Sequence, residues 1–336
     1  MLKIVLGLLL LLISIHTHAQ FQKYTYETQR MGSPFRITIS CADSNGISKA
    51  VKRAFRLATE LESELSDYQP NSDLSHVNRL AGNGKFYPIH EAFRAILIES
   101  LKAKNLSNGA LNVFAGKQVG IWRQARKNLI MPDLDALRQI AQKIQGNCLE
   151  FSADSTAVRL LDSACQLDLG SLGKGFVAQR VLDEIKRMGF PYALVDAGGK
   201  IVMTSQNPSD LPWQVGIEMP ISKTLLPEIY SLKHVSVATS GKTYQSIQLG
   251  DVTYSHVIDP RTGMALTHSR SATAIADDGT LADWLATAAT VMTVQEIQEL
   301  LVKLINVRLL VFENESGEPK ILFNYKVLPH EASRLH

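Results

Sequence analysis

Asp168-Leu169-Gly170-Ser171-Leu172-Gly173-Lys174-Gly175 sets three glycines, an acid, a hydroxyl and a lysine between two apolar stretches. On the near side, Cys165 to Leu169 reads as a short strand. On the far side, Phe176, Val177, Val181, Leu182 and Ile185 recur at helical spacing and predict a helix from Gly173 to Met188. A glycine-rich passage from strand to helix serves one of two ends. It brings backbone close to a bound anion, which the free amides of a helix start favour, or it lets two elements pack tightly. Lys174 adds a point charge suited to phosphate. Neither standard phosphate motif is present: Gly175, not Ser or Thr, follows Lys174, and the glycines run G-x-x-G-x-G. On this segment alone both readings stand.

The N-terminus bears on the compartment. Lys3, an apolar run from Ile4 to Ile15, and Thr17-His18-Ala19 ahead of Gln20 have the layout of a secretory signal peptide. We therefore expect a signal peptide at 1–19 and one mature domain at 20–336. The apolar run is short for a membrane span, so membrane contact is left to a partner or an uncleaved signal. No cysteine follows the cleavage region, and Cys41 lies too deep in the mature chain to carry a lipid. A formal charge of +3 over 336 residues, without a basic run, argues against a nucleic-acid ligand. Cys41, Cys148 and Cys165 lack C-x-x-C spacing, so neither zinc nor a dense disulfide framework is expected. One pair can bridge in an oxidising compartment; which pair is open.

Along the chain, Tyr24 to Glu27 and Pro34 to Ser40 alternate like paired strands. Ile47 to Leu65 predicts an amphipathic helix, Ser66 to Asn78 a polar loop, and Glu91 to Leu106 a helix ending at Asn108-Gly109. Pro132 to Ile144 reads as a helix with proline in its first turn. Short strands are expected near Leu149, Ala157 to Leu161, Tyr192 to Val195 and Lys200 to Met203. More are expected at Trp213 to Ile217, His234 to Ala238, Tyr244 to Leu249, Tyr254 to Ile258 and Ser271 to Ala276. Thr280 to Met292 and Val294 to Leu304 predict helices, and Val307 to Phe312 pairs with Lys320 to Phe323. Many strands joined by hairpin-length turns give an α+β chain, with mixed and antiparallel sheets and packed helices.

Further segments carry chemistry. Asp283 and Thr287, four apart on a helix, share a face and offer the hard oxygens that magnesium accepts; they equally suit a polar helix edge. In Tyr254-Ser255-His256-Val257-Ile258-Asp259-Pro260-Arg261-Thr262-Gly263 a strand runs into a turn, with His256 and Ile258 expected on one strand face. His256 is either a ligand or proton-transfer group or a structural histidine, and Asp259 reads as a turn cap. Asp196-Ala197-Gly198-Gly199 and Ala238-Thr239-Ser240-Gly241 each end a strand in small residues, for a ligand or for a turn.

The order and spacing of these segments, with Met31-Gly32-Ser33-Pro34-Phe35 and Ser66-Asp67-Tyr68, resemble the ApbE family of FAD:protein FMN transferases from about Met31 to Ala289. The resemblance implies an ApbE-like α+β fold of two closely joined lobes, and transfer of the FMN moiety of FAD onto a Ser or Thr hydroxyl of an acceptor flavoprotein, releasing AMP. By position it implies FAD contacts from Met31, Tyr68, the backbone around Ala110, Leu111 and Asn112, and from Asp168, Lys174 and His256. Magnesium would fall to Ser171, through its carbonyl, with Asp283 and Thr287. Lys174 would spread phosphate charge, and His256 or Asp283 would take the acceptor's proton. The chain departs from the family in two places. Gly109-Ala110-Leu111-Asn112 lacks an aspartate that members often carry, and Ala286 stands where some carry a second acid. With no lipidation cysteine, a free periplasmic protein is implied. A magnesium-dependent FAD pyrophosphatase and a non-catalytic FAD carrier are the competing readings.

Overall fold

A computed structural model describes residues 20–218, 225–241, 246–315 and 318–327. The expected signal peptide and Tyr244 lie outside them. In chain order the elements begin with β1 (Gln22–Arg30), β2 (Ser33–Cys41), α1 (Ile47–Leu65), α2 (Asp73–Arg79), β3 (Tyr87–Pro88) and α3 (Glu91–Leu106). Then come α4 (Gly116–Asn128), α5 (Leu134–Gln145), β4 (Leu149–Phe151), β5 (Ala157–Leu160), α6 (Gly173–Arg187), β6 (Ala193–Ala197) and β7 (Lys200–Met203). Next are β8 (Trp213–Glu218), β9 (Leu225–Leu232), β10 (Ser236–Gly241), β11 (Ser246–Leu249), β12 (Val252–Ser255), β13 (Ile258–Asp259) and β14 (Met264–Ala265). The last are β15 (Arg270–Ala276), α7 (Gly279–Val291), α8 (Val294–Leu301), β16 (Val307–Glu315) and β17 (Glu318–Val327).

The spine is an eight-stranded sheet in the order β1-β2-β6-β7-β10-β15-β16-β17, antiparallel at every pairing. Strand periodicity divides its two faces. On β15, Ala272, Ala274 and Ala276 join the main core beneath α6 and α7, while Ile275 points the other way. There Ile275, with Leu310 and Phe312 of β16, meets Trp213, Val215 and Tyr230 of the β8–β9 hairpin. The run of alanines is the informative choice. Small residues on β15, with Ala282, Ala286 and Ala289 on α7, let a helix settle closely on the sheet. The short β3-β5-β4 sheet, α2, α4 and α5 build out the other side of the chain.

The α+β expectation holds, and the bounds of α1 and α3 match the sequence pattern. Four local expectations do not. Cys165 to Leu169 forms no strand; it is extended, with one isolated parallel bridge from Gln166 to Ala115. The polar loop after α1 contains α2, whose N-cap Ser72 accepts from Ser75 N at 3.0 Å and which buries Leu74 and Val77. Pro132 stands before the helix, since Asp133 is the N-cap and bonds Asp135 N and Ala136 N. The strand expected from Tyr254 to Ile258 breaks at His256-Val257, where Ser255 Oγ accepts from Val257 N at 3.1 Å and pairing passes from β11–β12 to β13–β14. Helix α4 was not foreseen, because its residues are polar on several faces and include Gly116 and Gly120; nor was β9.

Cys148 and Cys165 form a disulfide with Cα atoms 5.6 Å apart, and Cys41 is free. The bond closes a 17-residue separation that runs from β4 through β5 to the extended stretch ahead of the glycine turn. Replacing both cysteines by serine is expected to cost about 3 kcal/mol of unfolding free energy, read from urea unfolding. Cys41→Ser should leave the midpoint in place; equal losses from both changes would show that the bridge contributes nothing special.

Candidate active site

A cavity of about 1300 Å³ opens between the β1–β2 turn, α4, the glycine turn and the end of β10, and it takes in residues from Met31 to Val291. That is above the roughly 300–1,000 Å³ of drug-sized sites and fits a larger ligand. Every residue that sequence reasoning assigned to the site lines it: Met31, Tyr68, Ala110, Leu111, Asn112, Asp168, Ser171, Lys174, His256, Asp283 and Thr287.

The chemical end is set by a helix crossing. A Cβ on Gly175 would lie 2.1 Å from the Gly279 carbonyl oxygen, and one on Gly279 would lie 2.6 Å from the Gly175 carbonyl oxygen. Only two glycines let α6 and α7 meet this closely. The contact brings Gly175 N, in the first turn of α6, to donate to Asp283 Oδ2 at 2.9 Å. The carboxylate of α7 thus occupies an amide of the α6 start that one of the two sequence readings offered to an anionic ligand. Gly173 N is likewise spent, donating to Leu169 O at 2.8 Å. Tight packing, the second reading of the glycines, is therefore what Gly175 serves. The cations lining this end of the cavity are side chains, Lys174 and Lys200; Arg123 and Arg126 of α4 also line the cavity.

Asp283 is 1% exposed, and its Oδ1 lies 3.0 Å from Lys200 Nζ. That contact is an ion pair without hydrogen-bond alignment, so Oδ1 is a buried carboxylate oxygen with no hydrogen bond. One turn along, Thr287 Oγ1 lies within hydrogen-bond reach of the Ser171 carbonyl at 3.4 Å, Ser240 Oγ at 3.3 Å and the Asp283 carbonyl at 3.1 Å, with one proton to give. Thr287 Oγ1 and the Ser171 carbonyl therefore meet one helical turn from Asp283 on the wall of the same cavity, which their positions in the chain alone could not establish. Hard oxygens of this kind, with one underused carboxylate oxygen, fit magnesium. Among the described residues no cluster of three or more His, Cys, Asp or Glu exists, so such an ion would take its remaining ligands from water and substrate phosphate. Ala286, fully buried, adds no acid. Burial first, and then the charge of Lys200, hold the Lys174 ammonium below the ordinary lysine range.

At the other end, Tyr68 is 75% exposed and its ring lies 4.5 Å from the Arg123 guanidinium. Arg123 reaches from α4 between Asp67 and Asp168, with 3.0 Å to Asp168 Oδ2, while Asp168 Oδ1 accepts from Gly170 N at 2.8 Å. Burial and neighbouring Asp67 push the Asp168 carboxyl up, against the pull of Arg123. Burial works against the Arg123 charge, but Asp168 and Asp67 outweigh it and hold its pKa up. Arg123 was missed with its helix; the basic spacing of Arg123, Arg126 and Lys127 was the available signal. The preceding residue, Trp122, donates from Nε1 to Gly263 O at 2.8 Å, which ties α4 to the turn after His256.

Three assignments gain structural detail. Asn112 lines the cavity, but its side chain is spent on Ile144 O at 3.0 Å and Phe114 N at 3.1 Å; its amide is structural. His256 sits in the bend between β12 and β13, not on a strand face. Met31 has a φ of 50° in the β1–β2 turn, and its amide donates to Glu62 Oε1 at 2.7 Å. Left-handed backbone at a non-glycine residue is uncommon and concentrates at functional sites. Asp259, as expected, caps its turn and pairs with Arg261, which also holds Glu296.

The ApbE family model matches residues 31–311. The chain is similar to the FAD:protein FMN transferase of Treponema pallidum, 29% identical over 290 residues, 82% of this chain and 80% of that protein. It is 28% identical to the FAD:protein FMN transferase of Vibrio cholerae over 289 residues, 83% and 81% of the two chains. The solved flavin transferase ApbE from Vibrio cholerae shares the fold with a TM-score of 0.78 at 22% identity, over 91% of this chain and 98% of that one. The apo flavinyl transferase ApbE of Pseudomonas stutzeri does so at 0.79 and 21%, over 91% and 96%.

Arg123→Met leaves Asp67 and Asp168 facing each other. The expected cost is about 2 kcal/mol at neutral pH, below that of a fully buried pair because Arg123 is partly exposed. The Asp168 carboxyl, already raised in the fold, rises further in the variant, so its protonation on acidification relieves the repulsion. Denaturant unfolding at about pH 7.5 and about pH 4.5 should show the penalty shrinking at the lower value. An unchanged penalty would mean that the guanidinium acts by packing alone.

Proposed function

The chain belongs to the ApbE family, and on that premise we propose that it is an FAD:protein FMN transferase. It takes FAD and magnesium, joins the FMN phosphorus to a Ser or Thr hydroxyl of an acceptor flavoprotein, and releases AMP. The observation that carries this reading is the meeting of Thr287 and the Ser171 carbonyl one helical turn from Asp283, with Lys174 and Lys200, in one large cavity. The exposed Tyr68 ring, backed by Arg123, offers a stacking surface for a planar ring of the dinucleotide.

In the reaction an O–P bond forms to the acceptor oxygen and the anhydride P–O bond to AMP breaks. Magnesium held by Asp283, Thr287 and Ser171 supplies neutralisation of the diphosphate charge. Lys174 contributes a second, fixed positive charge from inside the cavity, where partial burial strengthens it. The acceptor hydroxyl must lose a proton. Asp283 is tied to Gly175 N through one oxygen and would hold the ion through the other, which favours His256, another residue lining the cavity, as the base.

We further place residues 20–336 in one domain, exported to the periplasm after loss of 1–19. The cavity's use of residues from Met31 to Thr287 supports the first statement. The Cys148–Cys165 disulfide supports the second, because such bonds persist in oxidising compartments. Among the described residues no helix is long and apolar enough to cross a membrane.

Incubation of the chain with FAD, magnesium and a candidate acceptor domain should add the mass of one FMN to the acceptor, by intact mass spectrometry, with AMP in equal amount. FMN and AMP without a change in acceptor mass would instead make it a pyrophosphatase; no AMP under any condition would make it a carrier. Lys174→Ala and Asp283→Ala should each lower transfer by at least about 100-fold, the scale of removing a charge-stabilising group. Most activity surviving in either at saturating magnesium would end this site assignment. Tyr68→Ala should weaken FAD binding by about tenfold, the scale of one aromatic stack, as read by flavin fluorescence.

A further inference from the structure

Lys200 belongs to none of the roles assigned so far. It opens β7 directly after Gly198 and Gly199, whose φ angles of 62° and 84° make a primed hairpin turn between β6 and β7. Asp196 Oδ1 accepts from Gly199 N at 2.7 Å and locks that turn. Pairing of Lys200 with Ala238 of β10 then fixes where its side chain starts. The side chain is 13% exposed, donates to the Thr239 carbonyl, and holds its ammonium 3.0 Å from Asp283 Oδ1.

Lys174 stands close by: its Nζ lies 3.7 Å from where a Cβ on Gly198 would stand, and the charges of Lys200 and Asp283 both act on its ammonium. An ammonium 3.0 Å from Asp283 Oδ1 stands where a cation bound to that oxygen would stand. Two cations at that separation repel strongly in a partly buried site. The Lys200 contact is moreover the exchangeable kind: charge to charge, without an aligned hydrogen bond. Lysine carries three donors on a flexible stem, so it can leave Asp283 while keeping the Thr239 carbonyl, and it already lines the cavity.

We propose that Lys200 is a resident counter-cation for Asp283, yielding that oxygen to the divalent ion when ion and FAD bind and turning its ammonium to the diphosphate. This rests on the reading of Asp283 as an ion ligand. Lys200 is a positioning residue. It keeps a buried carboxylate paired while the site is empty of ligand, and it makes ion binding depend on the dinucleotide that receives the displaced charge.

The test is Mn²⁺ affinity, by calorimetry or by loss of the free-ion electron spin resonance signal, on the full chain with and without FAD. Lys200→Met and Lys200→Gln should bind Mn²⁺ at least about tenfold more tightly than wild type without FAD. In both, the gain on adding FAD should shrink, while Lys200→Arg, which keeps the charge, should not tighten the ion. Equal or weaker Mn²⁺ affinity in the neutral variants overturns the role of Lys200 and leaves the ion site standing. If wild type and variants bind no Mn²⁺ even with FAD, or if Asp283→Asn does not weaken it, the ion site itself fails and this proposal falls with it. Should neither neutral variant fold, a crystal structure of the wild-type chain with magnesium and FAD decides. Lys200 Nζ should then lie beyond about 4 Å, the ion-pair limit, from Asp283 Oδ1. Retention of the pair alongside a bound ion would overturn the proposal.

Discussion

The carboxylate of Asp283 is the point on which the site turns. It lies in a crossing so close that side chains beyond hydrogen are excluded at Gly175 and Gly279. From there it ties the start of α6 to the body of α7 through Gly175 N. Such a charge is tolerated at 1% exposure because its two oxygens are served differently: one by a backbone amide at a positive helix end, the other by an ammonium. The same asymmetry leaves one oxygen free to exchange partners. A structural bond and an exchangeable charge on a single side chain give a rigid frame with one adjustable contact.

Around that point, packing choices that look unrelated serve placement. Alanines on β15 and α7 bring the helix down onto the sheet, and Asp278 caps the helix start through Thr280 N and Leu281 N. Together these set the height and rotation at which Asp283 and Thr287 face Ser171. The β6–β7 turn delivers Lys200 from the sheet, and the β1–β2 turn delivers Met31 with its amide held by Glu62. Helix α4 works at a distance. Its Trp122 anchors the turn after His256, and its Arg123 sits under Tyr68 between two acids, so one helix couples both ends of the cavity.

The chain's own residues divide the labour of a phosphoryl transfer without a dedicated metal cage. One carboxylate, one hydroxyl and one carbonyl would be too few ligands to hold magnesium tightly, so in the proposed reaction the ion would arrive with its diphosphate. Lys174, kept below the ordinary lysine range by burial and by Lys200, is a strong local charge because it is poorly hydrated. The disulfide lies outside this machinery and braces the extended stretch that feeds the glycine turn.

Sequence alone determined what local chemistry writes directly into residue order. The amphipathic period of α1 and α3, the strand pairs flanking short turns, the α+β class and eleven of the residues lining the cavity were legible, the last through the ordered succession of motifs. What it could not determine were features decided by partners far along the chain. Helix α4 has little periodic signal, because it is held by tertiary bonds such as Trp122 to Gly263. Gly175 looked like a place for an anion, yet Gly279, remote in sequence, made it a helix crossing. Asn112 looked like a ligand contact, yet Ile144 and Phe114 consume its amide. Lys200 gave no signal, since its meaning depends on Asp283, which only the register of β7 against β10 and the seating of α7 bring within reach. Residue order encodes period and propensity; which donor meets which acceptor is settled only when the chain closes on itself.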